Sequence, residues 1–168
     1  MKRIVITLMA IVLAVGMVGC GSLVKEKDGR TIVGDISFST PSWENAEDKK
    51  EGDDIIVYRT SAGFYVSIKM NNDKSADDQI GTLTRLAESK NGALYESEHE
   101  VDGQTVKGAE AIYDIDEDTL GNVFVALIEH KGTLYIIQMI YMERFDPDGD
   151  SLNDYKEFKK FVESIELN

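Results

Sequence analysis

The densest grouping of side chains able to hold an ion lies near the C-terminus, where Asp146-Pro147-Asp148-Gly149-Asp150 is followed by Asp154 and Glu157. Counted from Asp146, the carboxylates fall at positions 1, 3, 5, 9 and 12, the spacing of the oxygen ligands in a twelve-residue calcium loop. Such a loop needs glycine at position 6 for its sharp turn, and Ser151 stands there; Asn153 replaces the apolar residue usual at position 8. A capped turn accounts for the same residues. Pro147 and Gly149 shape the turn, Ser151 caps the helix that follows, and Asp154 sits where a carboxylate completes a capping box and meets the positive end of the helix dipole. The capped turn is the preferred reading, so no cofactor is expected. Asp146, Asp148, Asp150, Asp154 and Glu157 are kept as the one calcium candidate. A second acidic run, Asp114, Asp116, Glu117 and Asp118, lacks a downstream ligand at the matching distance and reads as a solvated turn.

The two histidines, His99 and His130, lie within or beside predicted strands, without a cysteine partner and without His-x-x-x-His spacing. Zinc is therefore not expected, and a hydrogen-bonded or solvated structural role fits each ring. The chain has no Gly-x-Ser-x-Gly elbow and no glycine loop running into Lys-Ser or Lys-Thr. Its carboxylates are too numerous to single out a catalytic pair. No catalytic residue is assigned and a non-enzyme is expected, with a hydrolase built from scattered Asp, Glu or Ser side chains as the enzymatic alternative. Tyrosines and Trp43 could line a pocket for a small ligand. Tyr65, Tyr113, Tyr135 and Tyr141, however, fall in predicted strands, where aromatic residues serve the core.

The remaining reactive side chain is Cys20. Lys2 and Arg3 precede residues 4–18, a run without charge that is too short to span about 30 Å of hydrocarbon and ends in small residues. Its end, Met17-Val18-Gly19-Cys20, resembles the lipobox of bacterial lipoproteins; Gly19 and Cys20 match, and Met17 stands where leucine is usual. The resemblance implies that residues 1–19 are a signal peptide and that Cys20 carries the lipid. The expected location is the cell membrane, lipid-anchored and facing outside the cytoplasm. Two or three acyl chains suffice for stable attachment where one does not. As the single cysteine, Cys20 leaves no disulfide within the chain, and the domain has to rely on its core.

Composition narrows the partners. The formal net charge is −13, and loss of Lys2 and Arg3 would deepen it by two. Phosphate backbones and anionic headgroups repel such a surface. Nucleic acid is excluded as an expected partner, and membrane attachment would come from the lipid.

Positioning these residues are elements legible from hydrophobic period. Residues 20–31 read as the lipidated cysteine and a polar tether, and 32–168 as a single globular domain. Extended runs at 32–39, 55–59 and 63–70 predict strands. Ile80, Leu83, Leu86 and Ala87 predict a helix over 76–90, with Ser75 and Asp78 at its start and Asn91-Gly92 at its end. Asp102-Gly103 marks a hairpin between strands 93–101 and 104–115. A second hairpin joins 122–129 to 133–142 around Lys131-Gly132. Both alternating sets in this last pair are apolar, so both faces of the sheet are expected to be covered. Leu152, Tyr155, Phe158, Phe161, Val162 and Ile165 form the stripe of a final helix over 152–165. The expected architecture is α+β, an α/β/α sandwich around a central antiparallel sheet.

Three segments carry a family resemblance: Ile36-Ser37-Phe38-Ser39-Thr40-Pro41-Ser42-Trp43, Lys107-Gly108-Ala109-Glu110, and Phe161-Val162-Glu163-Ser164-Ile165-Glu166-Leu167. Their order and punctuation resemble the PsbP-like family, whose fold is shared with the Ran-binding protein Mog and recurs in bacterial lipoproteins. The family has no shared catalytic residues to carry over. Its best-known member helps retain calcium and chloride at the photosynthetic oxygen-evolving centre, and nothing in this chain matches a binding motif for that assembly. What the resemblance implies is a noncatalytic domain that binds or supports another protein, and with the lipoprotein address the expected partner is an envelope or secreted protein.

Overall fold

A computed structural model describes residues 23–60, 64–116, 119–144 and 151–168. Three short strands come first: β1 (Val24–Lys27), β2 (Arg30–Val33) and β3 (Ile36–Ser39). β4 (Glu44–Asn45), β5 (Asp54–Arg59) and β6 (Tyr65–Asn71) follow, then helix α1 (Ala76–Ser89). β7 (Ala93–Val101), β8 (Gln104–Asp116), β9 (Thr119–His130) and β10 (Thr133–Arg144) run consecutively before helix α2 (Ser151–Glu163) and β11 (Glu166–Leu167). β4 to β10 make one sheet in the order β4-β5-β6-β10-β9-β8-β7, and β1-β2-β3-β11 make a smaller one. Every pairing in both sheets is antiparallel. The fold is α+β.

Three hairpins use one device. Asp28-Gly29, Asp102-Gly103 and Lys131-Gly132 each place two successive residues at positive φ, between 48° and 79°. That is the turn whose twist matches the flanking strands. The first of them corrects the expected tether: residues 24–33 pair as a hairpin from Val24↔Val33 to Lys27↔Arg30. The expected strand over 32–39 is also broken. Gly34, at φ +58°, begins a two-residue turn, and β2 and β3 pair across it. A Cβ there would stand 2.7 Å from the Tyr135 hydroxyl, which accepts a hydrogen bond from the Asp35 amide at 2.8 Å. The small sheet is thereby tied to β10.

α1 begins as its sequence predicts. Ser75 accepts from the Asp78 amide, and the Asp78 carboxylate accepts from the Ser75 amide. It ends at Ser89 with Lys90 as cap; Asn91 follows at φ +54°, and the Gly92 amide donates back to the Ala87 carbonyl. α2 ends at Glu163, two residues before its expected limit, because the tail turns to pair β11 with Ile36 and Ser37 of β3.

The alternation in β9 and β10 sorts their side chains between two cores. Phe124, Ala126, Ile128, Tyr135, Ile137 and Met139 pack with Phe158, Phe161 and Val162 of α2, with Ile165 just beyond it, and with Val33, Ile36 and Phe38 of the small sheet. The intervening Val125, Leu127, Leu134 and Ile136 pack with Ala76 and Leu83 of α1, and Ala87 packs against Ala111 and Val123. Each large apolar side chain buried this way contributes about 1.5–3 kcal/mol.

Candidate functional site

Most of the ion-binding candidate lies outside the described residues. So do Cys20, Asp146, Asp148 and Asp150, and the side chain of Asp154. Glu157 is described, half-buried on α2. Among the described residues, no group of three or more His, Cys, Asp or Glu side chains could hold a metal ion.

His99 and His130 are not brought together. His99 is 3% exposed on β7, its ring edge-on to Phe158 at 6.1 Å. A Cβ on Gly108 would come within 2.6 Å of that ring, so glycine is the residue that lets the imidazole lie against β8. Nδ1 is buried without a hydrogen-bond partner. Burial, and next the Lys159 ammonium, hold its pKa below the usual histidine value, with Glu163 opposing. A ring this closed in by Phe158 and the β8 backbone lies out of a substrate's reach.

His130 lies at the far end of β9, in an open cleft of about 520 Å³ beside the start of α1. Several of its polar groups are already bonded. Glu129 accepts the Ala76 amide at 2.6 Å, Thr133 donates to Asn72 at 3.0 Å, and His130 Nε2 is 3.1 Å from the Asn168 carbonyl oxygen. The Glu129 contact was not anticipated from sequence; it places a carboxylate from a strand on the positive end of a helix. A second cleft, of about 440 Å³, includes Asn45, Glu47, Lys50, Asp53 and Asp54 in its lining. Asp54 is paired with Lys69 at 3.2 Å.

The tyrosines and the tryptophan largely serve the core. Trp43 leans on Phe161 at 5.3 Å and Tyr58 at 6.4 Å, so the Pro41-Ser42-Trp43 turn closes the aromatic cluster beside α2. Tyr135 is fully buried. Tyr95 differs: it is 58% exposed on β7, the outermost strand of the large sheet.

β7 is the longer of the two strands that border the large sheet. Among the described residues its main chain bonds only within the ladder with β8. Glu96, Glu98 and Glu100 are all exposed along it. The opposite edge, β4, has two residues.

No protein-family model matches the chain, and no curated protein matches it. Among solved structures, the solution structure of cyanobacterial PsbP (CyanoP) from Synechocystis sp. PCC 6803 is similar in fold: 14% identical, with a TM-score of 0.51, over 91% of this chain and 96% of that one. The fold is PsbP-like, as the three sequence segments imply. Those segments prove structural: Trp43 closes a core, Gly108 accommodates His99, and residues 161–167 end α2 and form β11.

Proposed function

We propose that this protein is a membrane-anchored, extracytoplasmic lipoprotein whose PsbP-like domain binds another envelope or secreted protein and catalyses no reaction. The observation that carries the reading is the lipobox-like Met17-Val18-Gly19-Cys20 directly ahead of the domain. The division of the β9 and β10 side chains between α1 and α2 supports an α/β/α sandwich, the arrangement in which the helices occupy both sheet faces and the strand edges remain for contact.

The first hairpin sharpens the geometry of the anchor. β1 begins at Val24, so three residues separate it from Cys20; fully extended they span about 10 Å. The domain would sit close against the membrane rather than on a long leash. Among the described residues no helix is long and apolar enough to cross a membrane, and the acyl chains supply the attachment.

The test is isolation of the lipidated full chain from its native envelope after mild cross-linking. A partner polypeptide recovered in fixed ratio is the expected result. Recovery of the chain alone, or turnover of a substrate by the purified protein, contradicts it.

A further inference from the structure

We propose that the outer edge of β7 receives an extended, basic segment of the partner protein, which adds to the sheet as an eighth strand carrying Lys or Arg at every second position. This rests on the reading of the chain as a protein-binding domain and names the surface and the chemistry of the contact.

Length comes first. β7 has nine residues, about 30 Å of strand at 3.4 Å per residue, and its outward main-chain groups are a template for pairing. Charge comes second. In the β7–β8 register, Glu96 stands opposite Ala109, Glu98 opposite Lys107 and Glu100 opposite Thr105, so the three carboxylates point to the α1 side of the sheet. They recur about every 7 Å. Among the described residues their neutralisation is incomplete: Lys107 forms its ion pair with Asp77 of α1, and Glu100 accepts the Thr105 hydroxyl at 2.8 Å. On the other side of the strand stand Ala93 and Tyr95, both exposed, then Ser97 and the buried His99.

A strand laid along this edge presents alternate side chains to the two sides. Its cations must therefore fall at every second residue, facing Glu96, Glu98 and Glu100, with small or apolar residues between them and one opposite Tyr95. The same carboxylates exclude a second copy of this chain. Two β7 edges paired antiparallel, with their α1 sides aligned, would set one row of glutamates beside the other.

The full chain in detergent micelles tests this with three synthetic nine-residue peptides: lysine alternating with valine and threonine, the same residues with the lysines in one block, and the alternating pattern with glutamate for lysine. The alternating basic peptide is expected to bind about tenfold or more tightly than the blocked one and to protect the amides of residues 93–101 from hydrogen exchange. N-methylation of its alternate amides should abolish that protection. E96K/E98K should weaken binding about tenfold or more with the melting temperature nearly unchanged, since both side chains are exposed. Equal binding of the blocked peptide, protection elsewhere, or no binding at all overturns the proposal. In the native envelope, photo-cross-linkers at Tyr95, Leu86 and Ile140 separate this failure from the broader one. Partner adducts at Leu86 or Ile140 without Tyr95 remove the edge and keep the binding domain, whereas adducts at none of the three remove both.

Discussion

One side of the large sheet is rich in rings, and the other has no buried ring and sets alanines among aliphatic side chains. Beside α2, Phe38, Tyr58, Phe124, Phe158 and Phe161 interlock at centroid distances from 5.0 to 6.5 Å, and the small sheet shares that core. Beside α1, Ala76, Ala87, Ala109 and Ala111 are buried with Leu83 as the one large side chain the helix contributes from its buried positions. Rings bury large area and join three elements at once. Alanines bury little and let a helix lie close to the strands. The α2 side should therefore carry the cooperative stability of the domain, and the α1 side should be limited by space.

Phe158→Ala is the strongest way to break that ranking. Phe158 is fully buried between Phe124 and His99, and its loss should cost about 3–5 kcal/mol, read from the denaturant midpoint. Leu83→Ala should cost less, about 2–3 kcal/mol. An equal or larger loss for Leu83 would reverse the order of the two sides. Ala111→Leu sharpens the comparison by adding volume instead: with Ala87 and Val123 against it, it should cost about 1–3 kcal/mol. A neutral or stabilising outcome would show that α1 can move away freely.

How far each side could be foreseen from sequence follows the same division. Alternating apolar residues in β9 and β10 announced two covered faces, and the stripes of α1 and α2 announced the helices. The 24–33 hairpin was missed although Asp28-Gly29 is the same dipeptide as Asp102-Gly103. Its β1 strand, Val-Lys-Glu-Lys, buries little and shows no apolar alternation, so its period resembles that of a tether. β11 has two residues and exists through its pairing with β3, which no local pattern encodes. The β7 edge was hidden for another reason: Glu96, Glu98 and Glu100 read as solvated charge until strand order put them at the border of the sheet. The acidic run at 146–150 and Cys20 lie outside the described residues.

A smaller effect is expected from pH at the border between β7 and α2. The folded-state pKa of His99 lies below its ordinary value of 6.5, so between the two values the unfolded chain binds more protons than the folded one. Stability should then fall as pH drops through 6.5 toward the folded value, and be fully present above it. His99→Leu should flatten this acid limb of a melting-temperature profile. An unchanged limb would assign the acid sensitivity to other groups.

The smallest expected effect is that of calcium. If Asp146, Asp148, Asp150, Asp154 and Glu157 form only a capped turn, millimolar calcium should shift the melting temperature no more than magnesium at equal ionic strength. A saturable rise seen with calcium alone, and abolished by Asp148→Asn, would make that turn an ion site. By linkage it would be worth about 2.7 kcal/mol at one hundred times Kd.

In the proposed function the PsbP-like domain is held at the membrane by Cys20 and meets its partner there. Intact mass spectrometry of the chain isolated from its native envelope tests it most directly. The expected species begins at Cys20, carries a diacylglyceryl thioether on that residue, and gives way in Cys20→Ser to an unprocessed precursor or an unlipidated product. A wild-type chain that retains residues 1–19, or that carries a free Cys20 thiol, would contradict the account.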